Sequence, residues 1–246
     1  SVDRKSWRSR WAQRLALLDD QGGRIWCATA GGVFAHTPGG SWQRLLSVAP
    51  WVQVEVLCLA EDENGLLWMG TRTTGLLQVQ KRQVMTLSLP ASARQHAVLT
   101  ACASRDGSVW CGTDGAGIFR WQGEQMTPFG TEQGLTSLQV AALLEDRHTN
   151  LWAGTVGGLF RRVGERFEPA PGPDALREPI LALLEDRRGN LWTGAGAKLV
   201  RLHGEGERVF DANDGLPRTN IRALAEDGQN DIWVGTAEGG LYRQVG

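Results

Sequence analysis

Short apolar runs alternate with acidic and glycine-containing turns along the whole chain. In the clearest copy, the run Ile180 to Leu184 is followed by Glu185-Asp186, by a turn that reaches Gly189, and by Leu191-Trp192. Aspartate accepts hydrogen bonds from the backbone of a turn, and glycine adopts the positive φ that ends one. The runs are only four to six residues long and Asp or Gly interrupts them, so the pattern predicts β-hairpins and not helices.

The hairpin recurs at an almost constant period. One tryptophan marks the same position in each of six copies: Trp26, Trp68, Trp110, Trp152, Trp192 and Trp233. Successive tryptophans are 42, 42, 42, 40 and 41 residues apart. A glycine-rich turn and a third strand follow the tryptophan, as in Gly158-Leu159-Phe160, and a weaker fourth strand comes last, as in Glu165 to Glu168. Four short antiparallel strands per period are typical of one β-propeller blade.

The copies account for the entire length, because 246 residues equal six periods of 41. We therefore predict an all-β protein with a single domain, residues 1–246, folded as a six-bladed β-propeller of four-stranded antiparallel blades. The last copy ends after its third strand, Gly240 to Val245, and Lys5-Ser6-Trp7 is similar to Gly40-Ser41-Trp42 in the first copy's fourth strand. We expect the N-terminal strand to complete the last blade, which closes the ring and removes free sheet edges.

Alignment of the copies on tryptophan predicts a binding site. The position ten residues before tryptophan is small, which suits a first strand near the propeller axis, and the position thirteen before it is mostly polar. We expect that polar ring to line one mouth of the central channel, where loops converge and differences between copies give specificity. The candidate ligand-binding residues are Gln53, Glu55, Gln95, His96, Gln139, Arg177, Glu178, Arg218, Asn220 and Arg222.

Charge and composition exclude several classes of protein. The 26 basic and 27 acidic residues give a net charge of −1, so no electrostatic field would attract nucleic acid or an anionic membrane. No apolar stretch approaches the roughly 18 residues that a membrane span needs. The polar start, Ser1 to Lys5, shows no signal peptide. Phosphate-binding, dinucleotide-binding and Gly-x-Ser-x-Gly motifs are absent from the sequence.

The acidic pairs and the histidines carry little catalytic or metal signal. Pairs such as Glu185-Asp186 recur once per copy at a hairpin turn, which indicates turn chemistry, since a catalytic pair would break the repeat. The turn at residues 62–65 lacks the distant glutamate of a calcium loop. No two of the four histidines have metal-ligand spacing. We expect no metal and no cofactor.

The four cysteines leave one question open. Cys102 and Cys111 belong to the same predicted hairpin, and a disulfide between them depends on the register of its two strands. Buried thiols are the alternative, because cysteine often behaves as a small apolar side chain. The chain has no Cys-x-x-Cys motif, and the cysteine count does not fix the compartment.

Two stretches carry a family resemblance. The first runs from Asp214-Gly215-Leu216-Pro217 through Ile232-Trp233-Val234-Gly235-Thr236 to Gly240-Leu241-Tyr242-Arg243, and the second runs from Gln133-Gly134-Leu135 to Gly158-Leu159-Phe160-Arg161. Both resemble the two-component regulator propeller repeat. The resemblance implies the periplasmic input region of a bacterial membrane receptor, with histidine kinase or diguanylate cyclase output domains elsewhere in a longer parent chain. It also implies a small-molecule ligand, often a sugar fragment. The family's rings typically have seven blades, whereas this chain has six copies.

The sequence supports three hypotheses about function. The first is a non-enzymatic sensor propeller that binds a sugar-like small molecule at the channel mouth, with a homodimer as a further candidate assembly. The second is a structural or interaction scaffold without a small ligand, which an apolar, plugged channel would favour. The third is a lyase or glycoside-acting propeller enzyme, which needs a nonrepeating histidine and carboxylate facing the channel. His96 with Glu55 is the candidate pair.

Overall fold

The computed structural model describes residues 16–20, 23–29, 32–36, 40–44, 55–62, 65–80, 83–87, 89–203, 206–238 and 240–244. The regular structure of these residues consists of β-strands and short 3₁₀ helices, which confirms the all-β prediction. None of the described residues lies in a helix of the length and apolarity that a membrane crossing requires. The segment predicted to close the ring, Lys5 to Trp7, lies outside the described residues, as does Gln53.

The strands of the first three copies form three antiparallel sheets, in which each strand pairs with its sequence neighbour. Sheet one contains β1 (Ala16–Asp19), β2 (Ile25–Thr29), β3 (Gly32–His36) and β4 (Trp42–Arg44). Sheet two contains β5 (Val56–Glu61), β6 (Leu67–Thr71), β7 (Leu76–Gln80) and β8 (Gln83–Leu87). Sheet three contains β9 (Val98–Ala103), β10 (Val109–Thr113), β11 (Ile118–Gln122) and β12 (Gln125–Phe129).

The remaining copies form three more sheets, and the last has three strands among the described residues. Sheet four contains β13 (Val140–Glu145), β14 (Leu151–Thr155), β15 (Gly158–Val163) and β16 (Arg166–Pro169). Sheet five contains β17 (Ile180–Glu185), β18 (Leu191–Ala195), β19 (Lys198–His203) and β20 (Gly206–Phe210). Sheet six contains β21 (Ile221–Glu226), β22 (Ile232–Thr236) and β23 (Leu241–Gln244). The 3₁₀ helices that connect sheets are Ala91–Ala93, Thr131–Gln133, Asp174–Arg177 and Ala212–Asp214.

Sheets two to five each contact the next sheet through a glycine in the second strand. The Cβ of an alanine at Gly112 would lie 2.7 Å from Val140 Cγ1, and one at Gly194 would lie 2.6 Å from Ile221 Cγ2. The same relation joins Gly70 to Val98 and Gly154 to Ile180. At these four junctions the β-branched side chain at the start of the next sheet therefore packs directly on glycine, whereas Ala28 and Val56 share the core between sheets one and two. The first strands of successive sheets are neighbours throughout this stack.

In most copies, an aspartate six residues before the tryptophan joins the hairpin turn to the indole ring. The carboxylate accepts from the indole N–H at 2.8–2.9 Å in five copies: Asp20 with Trp26, Asp62 with Trp68, Asp146 with Trp152, Asp186 with Trp192 and Asp227 with Trp233. Its other oxygen accepts from the turn backbone, as Asp186 does from the N–H of Asn190 at 2.8 Å. The turn role predicted for these aspartates is confirmed, and the bond to tryptophan adds a second role.

The two outermost faces of the stack are incompletely covered within the described residues. On sheet six, Ala223 and Ala225 are exposed and Leu241 is 64% exposed, whereas Leu199, at the position of Leu241 in sheet five, is fully buried. On sheet one, Cys27 is only partly buried. Six sheets are present in the described part of the chain, and the packing of sheet six on sheet one stays a prediction.

The hairpin of sheet three answers the cysteine question. Cys102 lies opposite Trp110 in the ladder, and Cys111 lies opposite Ala101. Cys111 belongs to the core between sheets two and three, while Cys102 packs against the core between sheets three and four. The two side chains thus face opposite sides of the sheet, and neither forms a disulfide. Burial raises the pKa of Cys102 to about 11 and that of Cys111 to about 12.

We predict that Gly154→Ala destabilises the fold by about 1–3 kcal/mol, because the added methyl overpacks the contact between sheets. Its Cβ would lie 2.7 Å from Ile180 Cγ2 and 2.9 Å from the Ile180 carbonyl oxygen. Chemical denaturation measures the loss. Gly228→Ala is the matched control, since nothing lies within 4 Å of the added atom, and it should change stability by less than about 0.5 kcal/mol. Equal losses for both variants would contradict the packing role.

We also predict that acid weakens the fold through Asp186, one of the tryptophan-bound aspartates. Burial alone would raise the pKa of Asp186, but hydrogen bonds from Trp192, Asn190 and the turn backbone outweigh it and lower that pKa. Because the folded pKa is below the unfolded value of about 3.9, this stability is present above pH 4 and is lost as the pH falls through the folded pKa. Denaturation curves between about pH 6 and pH 2 measure the loss. Asp186→Asn removes the titrating group, so its curves should show a shallower decline below pH 4 than those of the parent protein.

Candidate functional site

The predicted mouth is defined by one backbone hydrogen bond that repeats along the stack. The residue four positions after tryptophan donates its N–H to the carbonyl oxygen of the residue thirteen positions before it. The pairs are Arg72 with Glu55, Asp114 with Ala97, Val156 with Gln139, Gly196 with Pro179 and Ala237 with Asn220, at 2.9–3.2 Å. Because the first strands of successive sheets are neighbours, these pairs lie along one edge of the stack. The sequence prediction placed several candidates on this edge.

Glu55 forms an ion pair that the sequence did not reveal. Its two carboxylate oxygens accept from Arg72, from Nε at 2.6 Å and from Nη2 at 2.9 Å. This hydrogen bonding lowers the pKa of Glu55. Both side chains remain 40–51% exposed, so the pair presents charged groups to solvent. Exposed pairs of this kind add little to stability.

His96 lies beside the next sheet's contribution to the edge. Its Nδ1 is 3.1 Å from Asp114 Oδ1, and the same carboxylate oxygen accepts from the backbone N–H of Ala97 at 3.0 Å. The ring rests on Gly115, where an added Cβ would lie 2.7 Å from His96 Cε1. The backbone N–H of Ala97 thus orients the Asp114 carboxylate, and the carboxylate in turn orients the imidazole through Nδ1.

The two pairs belong to one group, which we call the rim cluster: Glu55, Arg72, His96 and Asp114. The hydrogen bonds to Glu55 come first among the effects that raise the pKa of Arg72, and the charge of Asp114 adds to them. Arg72 and Asp114 occupy the same repeat position, four residues after tryptophan. The residues at this position in the other copies are Ala30, Val156, Gly196 and Ala237. Charged residues at one otherwise uncharged position were the signal that could have identified both.

The structure places the other candidates individually along the edge. Glu178 accepts from Lys198 Nζ at 2.6 Å, and Arg177 forms an exposed pair with Asp174 at 3.0 Å. The remaining described candidates are solvent-exposed residues: Gln95, Gln139, Arg218, Asn220 and Arg222. The structure therefore brings Glu55 and His96 into one cluster, and it shows no comparable bonds among the exposed set.

A cavity of about 300 Å³ opens at the same end, between sheets four and five. Thr136, Gly157 and the segment 169–173 contribute to its walls, and Arg177 is the predicted site residue that lines it. The wall is formed by connecting loops, so its shape depends on the proline-containing segment before sheet five.

The arrangement bears on the candidate catalytic pair. His96 is bonded to Asp114 and Glu55 to Arg72, so the two predicted partners do not form a dyad with each other. Among the residues that the structure describes, no group of three or more His, Cys, Asp or Glu side chains could hold a metal ion. What the rim cluster offers chemically is a set of half-exposed donors and acceptors.

Comparison with known proteins gives a family-model match for two segments and a fold. The family model described as two component regulator propeller matches residues 51–73 and 215–238. None of the curated protein sequences matches significantly. The extracellular domain of BT4673 from B. thetaiotaomicron, described as a hybrid two-component system, is similar with 24% identity and a TM-score of 0.77. The match covers 95% of this chain and 32% of that one.

Two further solved structures show the same fold. The extracellular domain of BT3049 from B. thetaiotaomicron, also described as a hybrid two-component system, has 20% identity and a TM-score of 0.76, covering 95% of this chain and 34% of that one. Virginiamycin B lyase from Staphylococcus aureus has 15% identity and a TM-score of 0.70, covering 94% of this chain and 83% of that one. The chain spans about a third of the length of the two extracellular domains. It folds as a β-propeller, and two of its segments match the two-component regulator propeller model.

Proposed function

We propose that this protein is a non-enzymatic sensor that binds a polar small molecule at the mouth edge, around the rim cluster. The observation that carries the proposal is the concentration of nonrepeating charged residues at one edge of a repeating fold. Elsewhere the repeat uses charge structurally, as in the aspartate bound to tryptophan. At Arg72 and Asp114 the charges replace residues that are uncharged in the other copies.

The geometry of the rim cluster suits a ligand with many hydroxyl groups. Arg72 presents N–H donors, Glu55 and Asp114 present acceptor oxygens, and the imidazole of His96 offers a nitrogen of either kind. All four side chains are 27–51% exposed, so a ligand can reach them. Alternating donors and acceptors can hydrogen-bond a sugar-like ligand on several sides, and specificity comes from groups that would otherwise be left unpaired.

The parent context is part of the proposal. Extracellular domains of two-component systems share this fold, and residues 51–73 and 215–238 match the model of a regulator family. We therefore place the chain outside the cytoplasm, in the periplasm, as the input region of a longer receptor with output domains. A homodimer would let two such chains transmit the signal together.

A lyase-like enzyme is the second candidate. His96 has an orienting carboxylate, Asp114, at 3.1 Å, which is the arrangement of a general base, and the fold is also that of a known lyase. The sensor hypothesis is preferred because the second carboxylate, Glu55, is neutralised by Arg72.

Six blades closed into a ring complete the proposal. In the described interfaces, residues such as Ala60 and Trp68 of one sheet pack against Cys111 and Phe119 of the next. In sheet six, Ala225 and Trp233 occupy the positions that Ala60 and Trp68 have in sheet two. In sheet one, Cys27 and Phe34 occupy the positions that Cys111 and Phe119 have in sheet three. Each exposed face is half of an interface that the stack already uses. We propose that they pack together, with the N-terminal strand at the outer edge of sheet six.

We predict that a monosaccharide or amino acid from a mixed panel stabilises the protein in a thermal shift assay and binds saturably in calorimetry. Arg72→Ala should weaken this binding about tenfold or more, because it removes charge-assisted hydrogen bonds. Arg218→Ala tests the exposed part of the edge in the same way. Glu168→Ala is the control, since Glu168 is exposed on the fourth strand of sheet four, away from the edge.

The outcomes separate the hypotheses. Binding that is lost in Arg72→Ala and kept in Glu168→Ala supports a sensor site at the rim cluster. Binding with chemical conversion of the ligand, abolished by His96→Ala, would favour the enzyme. If no compound shifts the melting temperature and Arg72→Ala behaves as the parent protein, the ligand site is wrong.

We predict that Ala225→Cys forms a disulfide with Cys27 under mild oxidation within one chain, because ring closure would place these two positions in one core, as Ala60 and Cys111 share the core between sheets two and three. Peptide mapping by mass spectrometry identifies the bond. Ala225→Cys combined with Cys27→Ser is the control and should not form it. A bond found only between two chains, or none, would contradict closure of six blades into one ring.

A further inference from the structure

The third copy lacks the aspartate that binds tryptophan in the other copies. Ser104 occupies the position of Asp146 and Asp186, and its hydroxyl donates to Glu145 Oε2 of the next sheet. The indole N–H of Trp110 consequently forms no hydrogen bond with another described residue, although only 1% of Trp110 is exposed. Five equivalent indoles donate to a carboxylate.

Asp106 takes over only part of the missing role. Its Oδ1 accepts from the backbone N–H of Ser108 at 2.9 Å, and its Oδ2 accepts from Arg120 at 2.7 Å. Burial alone would raise the pKa of Asp106, but hydrogen bonds from Ser108 and Ser104 and the charge of Arg120 lower it to about 2. The turn backbone is therefore satisfied, while the tryptophan is not.

A cavity of about 450 Å³ opens beside this indole, between the hairpin turns of sheets three and four. It lies at the opposite end of the sheets from the rim cluster, because the turns follow the first strands and the rim precedes them. Its lining provides hydrogen-bond donors from Trp110, Arg105 and Arg162. Asp106, Glu145 and Asn150 also line it. The volume is in the range of small-molecule sites, roughly 300–1,000 Å³.

One guanidinium group, that of Arg162, lines the cavity beside the Trp110 indole. Arg120 and Arg162 lie 5.4 and 5.0 Å from the centre of the Trp110 ring. Arg120 pairs with Asp106, and Arg162 Nη2 donates to the exposed Glu165 at 2.7 Å, while the Nε of each arginine is buried without a hydrogen-bond partner. The Trp110 N–H and the Arg162 guanidinium together favour a carboxylate, which accepts charge-assisted hydrogen bonds.

We propose that this cavity binds a small hydroxylated carboxylic acid, whose carboxylate takes the place that aspartate has beside the other tryptophans. The carboxylate accepts from the Trp110 indole N–H and pairs with Arg162, whose partner without ligand is the solvent-exposed Glu165. The ligand's hydroxyl groups face Glu145, Thr149 and Asn150, which supply acceptors and donors on the remaining wall. The site is separate from the rim cluster, and this proposal does not depend on ligand binding at the rim cluster.

The experiment is an NMR titration of the indole N–H signals of the ¹⁵N-labelled protein, with D-glucuronate as the probe and D-glucose as its neutral counterpart. Trp110→Phe identifies the Trp110 signal. Glucuronate should move that signal saturably downfield, as a hydrogen bond to a carboxylate does, and the aspartate-bound indoles should stay in place. Glucose should have little effect, since it lacks the anion.

Ser104→Asp is the decisive variant, because it restores the repeat's own carboxylate. Without any ligand, its Trp110 signal should already lie near those of the aspartate-bound indoles, and glucuronate should no longer shift it. Arg162→Met provides a second variant should an aspartate beside Glu145 impair folding, and it should weaken glucuronate binding about tenfold or more. A Trp110 signal that ignores glucuronate, an equal response to glucose, or full binding by Arg162→Met would overturn the proposal.

Discussion

The structure depends on one contact that each sheet makes with the next. In sheets two to five, a glycine in the second strand leaves room for a valine or isoleucine from the first strand that follows, and a Cβ at that glycine would overlap it. Interiors are close-packed, so such a contact tolerates little change in volume. Because the glycine follows tryptophan at a fixed distance, this contact recurs with the period of the sequence. The constant period in the sequence thus reflects a constant distance between sheets.

The aspartate bound to tryptophan works at a different level, since it holds the hairpin to its own sheet. One carboxylate oxygen satisfies the turn backbone and the other satisfies a buried indole, as in Asp186. Buried polar groups must be paired, so the aspartate and the indole are needed together. The third copy keeps the indole without the aspartate, and two arginines lie over Trp110 there. The departure shows that the stack can lose this bond in one copy and keep the glycine contact at Gly112.

Much of the fold could be predicted from the sequence, because strand positions follow from the spacing of tryptophan, glycine and apolar runs. The edge position thirteen residues before tryptophan was predictable for the same reason, and it led to Glu55. Arg72 and Asp114 were missed because their place on that edge depends on a backbone bond between the two strands, such as Arg72 to Glu55. The cavity beside Trp110 also could not be predicted, since the absence of one carboxylate gains meaning only when the indole's partners in the other copies are known.

The two ends of the stack carry the remaining structural problem. Five copies have valine or isoleucine twelve residues before tryptophan, and the first copy has Arg14 there. If sheet six packs on sheet one as the other sheets pack, an arginine stem must rest on Gly235. Among the described residues, an added Cβ at Gly235 would meet only Ala223 of its own sheet, at 3.3 Å and beyond. An arginine can bury its methylene groups while its charged end reaches solvent. If the ring closes as proposed, the junction between the first and last sheets therefore packs differently from the junctions that the structure describes, and opening of the ring would begin there.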